Sequence, residues 1–243
     1  MSTPRVIDAA YARFAKAPLL RRVHGPAYLN VGWHPAADPA AALVDRLLHL
    51  VGEPPATVLD VACGRAASTA RIAARWPDST VIGLDRSPAL LPAVPPAGGL
   101  LVRADATALP VVAASVDLVC CVEAALHFPP RRAFFAEAAR VLRPGGRLAL
   151  TDLLVDPAAP GWAALVPAGN IERSEAEYAS ALRECGLAVR WVRDITAHTW
   201  RPYTAALIAA AAAESPYAAA AVDRLLVDRP VGAYLEVLAE VVT

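Results

Sequence analysis

The chain has 243 residues, 56% of them apolar, and its 23 basic and 23 acidic side chains leave a formal net charge of +0. Without a basic excess it lacks the electrostatic footprint of a nucleic-acid binder. No uninterrupted apolar stretch reaches the about 20 residues that a membrane-spanning helix needs, and the length suits one α/β domain with an added lid.

The N-terminus lacks the basic, then apolar, then small-residue order of a secretory signal, so a cytoplasmic protein is expected. Cys63, Cys120, Cys121 and Cys185 form no C-x-x-C pair, and the adjacent Cys120 and Cys121 point to opposite faces of a strand. Reduced, buried thiols are expected, with neither a disulfide framework nor a metal site.

Residues 5 to 23 carry apolar side chains at helical spacing (Val6, Ala10, Tyr11, Phe14) and predict a helix. Tyr28-Leu29-Asn30-Val31-Gly32-Trp33 reads as an aromatic-rich loop. Asp38 as N-cap and Pro39 at the first helical position open a helix to about Val51. Glu53-Pro54-Pro55 then leads to strand 58–62, the small-residue turn Ala62-Cys63-Gly64 and a helix over 66–76. Strand 80–85 ends at Asp85, and Ser87-Pro88 predicts a short helix after it. Strand 100–104 leads to Asp105, and strand 116–122 to Glu123. Pro129-Pro130 opens a helix with Phe134, Phe135, Ala138 and Val141 on one side, and Arg143-Pro144-Gly145-Gly146 stops it. Strand 147–152 ends in Asp152. A Pro/Gly-interrupted loop covers 155–173, and the capping box Ser174-x-x-Glu177 opens a helix to Cys185. Strand 187–195 follows, then an alanine-rich helix or helix pair over about 203–226 and a final segment, 233–242, read as a strand.

This alternation argues for a parallel sheet with helices on both faces. Asp60, Asp85, Asp105, Glu123 and Asp152 all fall at strand ends or in the turns that follow them. Ligands of open α/β sheets bind at those ends, so the set points to a polar ligand rich in hydroxyls and amines. A dinucleotide would require G-x-G-x-x-G, and Ala62-Cys63-Gly64-Arg65-Ala66-Ala67 supplies one glycine. S-adenosylmethionine, which has no phosphate, is the alternative.

VLDVACG, VIGLD, RADATALP, VCCVEAALHF and RVLRPGGRLALTD, in this order, resemble the class I S-adenosylmethionine-dependent methyltransferases, most of all the branch that acts on sugars, macrolides and other natural products. The resemblance covers about residues 28–195 and implies a Rossmann-like, doubly wound seven-stranded sheet, mostly parallel with an antiparallel last strand. It also implies an N-terminal helical lid over residues 1–52 before a cofactor-binding domain over 53–243. Carried over residue by residue, Asp60, Ala62 and Gly64 border the methionine part of the cofactor. Asp85, with Arg86 beside it, meets the ribose; it lies 21 residues beyond Gly64, against the about 20 of nucleotide folds. Asp105 and the backbone of Ala106 face the adenine, and Glu123 stands beside the cofactor. The chain departs from the family at Ala66, and often at Ala62, where glycine is usual.

Methyl transfer to a hydroxyl benefits from a base. His127, just after the fourth strand, is in the place where the resembled O-methyltransferases often carry one. Asp152 is expected to orient its imidazole or to contact the acceptor. Tyr28 and Trp33 are expected to close over cofactor and acceptor. Segments 155–173 and 200–230 should form the wall for a largely apolar small molecule. C- or N-methylation stays open, as does a cyclase-like or non-catalytic use of the same fold. His24, His34, His49 and His198 have no comparable context. No nucleic acid or membrane partner is implied, and oligomeric state is not legible.

Overall fold

The computed structural model describes residues 4–14, 16–25, 27–156, 162, 164–227 and 231–242. Three helices come first: α1 (Pro4–Phe14), α2 (Pro18–His24) and α3 (Pro39–Val51). The core follows as β1 (Thr57–Val61), α4 (Ala67–Arg75), β2 (Thr80–Asp85), β3 (Gly99–Arg103), β4 (Val116–Val122), α5 (Arg131–Val141) and β5 (Leu142–Val155). It is completed by α6 (Glu175–Glu184), β6 (Ala188–Asp194), α7 (Trp200–Ala212), α8 (Pro216–Val227) and β7 (Val231–Glu240).

The seven strands form one sheet in the order β3-β2-β1-β4-β5-β7-β6. β7 runs antiparallel to both its neighbours, β5 and β6, and the pairs from β3 across to β5 are parallel. This is the expected doubly wound sheet with an antiparallel last strand. β1 sits near its centre and is buried from Val58 to Val61, as a strand covered on both faces must be. Cys120 packs on one face with Val58 and Ile72, and Cys121 on the other with Phe134 and Tyr178. Period-2 alternation thus separates two adjacent thiols into two halves of the core.

Local signals explain the helix starts. Asp38 Oδ1 accepts from Ala41 N at 3.0 Å, with Pro39 in the first turn of α3. Ser174 caps α6 by accepting from Glu177 N at 3.2 Å. Proline explains one departure from expectation and decides one alternative left open, between a single alanine-rich helix and a pair. The helix predicted over 5–23 is two helices, broken before Pro18, whose ring and missing N–H do not continue the preceding ladder. The alanine-rich stretch likewise breaks before Pro216 into α7 and α8. The short helix expected after Ser87-Pro88 is a single turn, with Leu90 N and Leu91 N both donating to Ser87 O at 3.2 Å. β5 begins at Leu142 rather than 147, because Leu142 already pairs with Val116, the register then shifts across Arg143–Gly146 to Leu118 with Arg147, and Gly145 N donates to Val241 O at 2.8 Å. Among the described residues no helix is long and apolar enough to cross a membrane.

Candidate functional site

A cleft opens at the carboxyl ends of β1, β2 and β4. Its floor is the turn after β1. Ala62 (φ 59°), Gly64 (φ 56°) and Ala66 (φ 61°) are all left-handed, so two alanines adopt a conformation that glycine takes freely. A Cβ placed on Gly64 would meet only Leu29 Cδ1, at 3.8 Å, which leaves the turn open for a ligand's close approach. Asp60 lies beneath this turn and does not line the cleft. Its Oδ2 accepts from Ser68 Oγ at 2.7 Å and Thr69 Oγ1 at 2.6 Å, tying β1 to the start of α4. Burial pushes its carboxyl up to about 6.

Asp85, at the end of β2, accepts from Gly64 N at 2.9 Å on Oδ2 and from Ser87 N at 2.8 Å on Oδ1. It therefore holds the turn and lines the cleft at once. Beside it, Arg86 Nε donates to Asp8 Oδ1 of α1 at 3.3 Å, and the buried Ser87 Oγ has no hydrogen-bond partner. Asp105 Oδ1 accepts from Thr107 N at 2.8 Å and Thr107 Oγ1 at 2.7 Å, and Asp105 and Ala106 form the neighbouring wall.

Glu123 ends β4 in a left-handed conformation (φ 54°) that turns its side chain back over the cleft. Its Oε2 accepts from Val31 N at 2.9 Å and from Tyr234 OH at 2.7 Å. Burial pushes its carboxyl up to about 7. The turn that follows places His127 on the cleft wall, 7% exposed. His127 Nδ1 lies 2.8 Å from Leu165 O, and Nε2 lies 2.6 Å from Tyr11 OH. A carbonyl can only accept, so Nδ1 carries the proton and Nε2 presents its lone pair to the hydroxyl. Burial pushes the imidazole down to about 4, which keeps it neutral at physiological pH.

Asp152 is placed differently from expectation. It is wholly buried, Oδ1 accepts from Leu126 N at 2.9 Å, and Oδ2 accepts from Tyr178 OH at 2.9 Å. Arg131 Nε also stands 2.9 Å from Oδ2, an ion pair whose N–H points off the line of a hydrogen bond. Asp152 makes no hydrogen bond to His127 and does not line the cleft; it reaches the histidine only through the backbone of Leu126. Burial raises its carboxyl, against the pull of Arg131.

The expected aromatic closure divides. Tyr28 lines the cleft, whereas Trp33 stacks on His198 at 4.6 Å with Arg46 4.0 Å above its ring. His24 bonds Tyr203, His34 bonds Val31 O and His49 is exposed, so none of these histidines reaches the site. Among the described residues, none from 155–173 or 200–230 lines the cleft. The wall expected there stands one layer back, where Leu165 O holds His127. The lining residues that sequence reasoning gave no site role include Asp8 and Tyr11 on α1 and Asn30 in the loop before α3. The i, i+3 spacing of Asp8 and Tyr11, which puts both on one helix face, was the available signal.

A family profile described as "Methyltransferase domain" matches residues 59–150. The chain is 34% identical over 188 residues to the O-methyltransferase cnsE of Penicillium expansum, covering 69% of this chain and 68% of that one. It is 39% identical over 115 residues to the 27-O-demethylrifamycin SV methyltransferase of Amycolatopsis mediterranei (strain S699), covering 42% of this chain and 40% of that one. The match therefore spans less than half the length of the rifamycin-modifying relative. Among solved structures, the [4+2]-cyclase SpnF superposes with a TM-score of 0.71 at 20% identity, over 97% of this chain and 95% of that one, a likeness of fold.

Proposed function

The chain belongs to the class I S-adenosylmethionine-dependent methyltransferases related to those of natural products, and on that premise we propose that it methylates a hydroxyl of a small, largely apolar natural product, with His127 as general base. The residues of the cleft fit the methyl donor. Asp85, Asp105 and Glu123 offer carboxylates to a cation bearing hydroxyls and amines, the unpartnered Ser87 Oγ adds a further polar group, and Gly64 leaves open space beside the turn. Asp85 with Arg86 would hold the ribose, Asp105 and Ala106 the adenine, and Ala62, Gly64 and Glu123 the methionine end. Bound there, S-adenosylmethionine supplies an electrophilic methyl group on a good, neutral leaving group, so the protein's main work is positioning.

The observation that carries the reading is the state of His127: a neutral ring with Nδ1–H fixed on Leu165 O and an unprotonated Nε2 already facing a hydroxyl. An acceptor hydroxyl that takes the place of Tyr11 OH would donate to the same nitrogen. Asp152 acts as a positioning residue that clamps the Leu126–His127 turn from below. Residues 1–52 serve as the lid: Ile7, Asp8 and Tyr11 of α1 close the cleft, and its outward swing gives an acceptor access to the walls at 155–173 and 200–230. The cytoplasm, where the four free thiols stay reduced, is the compartment we propose.

The test is methyl transfer from labelled S-adenosylmethionine to a panel of hydroxylated polyketide and macrolide acceptors. His127→Ala should lower the rate by about 10²–10⁴ with cofactor binding intact. A change near unity would remove the base role. A second reading, cofactor-dependent but without methyl transfer, draws on the Tyr11 hydroxyl that already fills the base's hydrogen bond. It predicts S-adenosylmethionine binding with no S-adenosylhomocysteine formed in the presence of any acceptor.

A further inference from the structure

Asn30 is 6% exposed, lines the cleft, and belongs to no element of the sheet. Its Nδ2 donates to Ala40 O at 3.4 Å, while its Oδ1 is buried with no hydrogen-bond partner among the described residues. The reverse amide orientation would set two carbonyl oxygens against each other, so Oδ1 is the atom left unsatisfied. A buried amide oxygen with no donor is costly, and such groups are normally paired. One that lines a cleft is waiting for a donor from a ligand.

The loop leaves Asn30 little freedom. On one side, Leu29 Cδ1 lies over Gly64, 3.8 Å from where that residue's Cβ would be. On the other, Val31 N donates to Glu123 Oε2 at 2.9 Å. Gly32, at φ 83°, packs so tightly that a Cβ there would fall 2.6 Å from Pro39 carbons. Asn30 is thus strapped between the turn after β1 and the end of β4, the two places read above as the methionine end. Glu123 Oε1 makes no hydrogen bond among the described residues and belongs to the same wall.

Resting on the reading of the cleft as an S-adenosylmethionine site, we propose that Asn30 Oδ1 is a recognition group for the α-ammonium of the methionine end, acting with Glu123. An ammonium brings N–H donors and positive charge, which suits a side-chain carbonyl beside a carboxylate. Neither group would have anything to read in a ligand lacking the amino-acid portion.

Calorimetry of the full chain with S-adenosylhomocysteine and with 5′-methylthioadenosine, which lacks that portion, tests this directly. Asn30→Ala should weaken S-adenosylhomocysteine by about 10–100-fold, the range for a hydrogen bond to a charged group, and leave 5′-methylthioadenosine within about twofold. Asn30→Asp, which keeps an acceptor and adds charge, should hold or raise the preference for S-adenosylhomocysteine. It serves as the deciding variant if Asn30→Ala does not fold. Equal losses for both ligands would reduce Asn30 to a loop-shaping residue, and no loss for either, or a lowered preference in Asn30→Asp, would also overturn the assignment. If the wild-type chain binds neither ligand, the cofactor reading itself fails, and this assignment with it.

Discussion

Glu123 directly follows β4 and Asp152 holds the neighbouring position inside β5, since Val122 pairs with Thr151 and β5 runs on to Val155. Both look equally functional when read from sequence as strand-end acids, but Asp152 is wholly buried and Glu123 is half-buried at the cleft. Their surroundings differ. Asp152 is met by Arg131, Tyr178 OH and Leu126 N, and Arg131 is in turn paired with Glu172 at 3.2 Å. Glu123 has only neutral donors, Val31 N and Tyr234 OH, both on one oxygen. One carboxylate has its lone pairs committed to holding the frame, and the other keeps acceptor capacity and an uncompensated charge at the cleft. A position at a sheet's ligand edge therefore nominates a residue; what the rest of the chain donates to it decides its role.

The contrast is broken most severely at Asp152. Asp152→Ala strands Arg131 in the interior with only part of its charge balanced, and should destabilise the fold by about 3–5 kcal/mol in chemical denaturation. Cofactor affinity of the folded fraction should be unchanged. A cofactor defect without a stability loss would place Asp152 in the binding site after all.

The pH dependence of stability separates the two sides of the cleft next. His127 titrates at about 4 in the fold against an ordinary 6.5, so the unfolded chain binds the extra proton. Its contribution is present above pH 6.5 and is lost as pH falls toward 4, by about 3 kcal/mol at most. Glu123 works in the opposite sense. Raised from 4.5 to about 7, its contribution is present below pH 4.5 and is lost as pH rises through 7. The two windows overlap and oppose each other, so denaturation of His127→Gln should show stability falling more steeply as pH rises from about 4.5 to 7, and that of Glu123→Gln should show it rising more steeply from about 4 to 6.5.

The smallest effect sharpens the functional half of the comparison. Glu123→Gln keeps the shape and removes the charge, so it should weaken S-adenosylmethionine by about tenfold, and calorimetry should find the loss greatest above pH 7. In the wild-type chain the affinity should rise as pH approaches 7 from below, as the carboxylate ionises.

The sheet was legible because its strands are apolar runs closed by Gly, Pro or a carboxylate. β1 at Thr57–Val61 and α4 at Ala67–Arg75 fall within one residue of expectation at each end. The parallel topology then brings Asp85, Asp105, Glu123 and His127 to one edge with no further information. What stayed hidden is made by distant partners. Tyr11 meets His127 across 116 positions and Val31 meets Glu123 across 92. Arg131, Tyr178 and Leu126 reach Asp152 from separate elements, and no local pattern announces that they use up its oxygens. Pro18 was visible, but the apolar spacing on either side of it ran on unbroken, and only the structure shows that the helix does not.

The left-handed alanines of the floor have a consequence for how such a turn is found and engineered. Ala62 and Ala66 hold the dihedral angles that glycine would hold without steric cost, at about 1–2 kcal/mol each. The turn holds this shape without the residue type that makes it easy. A search by glycine spacing would pass this chain over, while a search by backbone angle would find it. Ala62, which is only half-buried, is where thermal robustness can be added most simply, because glycine there eases the backbone, whereas at Ala66 glycine would also remove a methyl buried in the core.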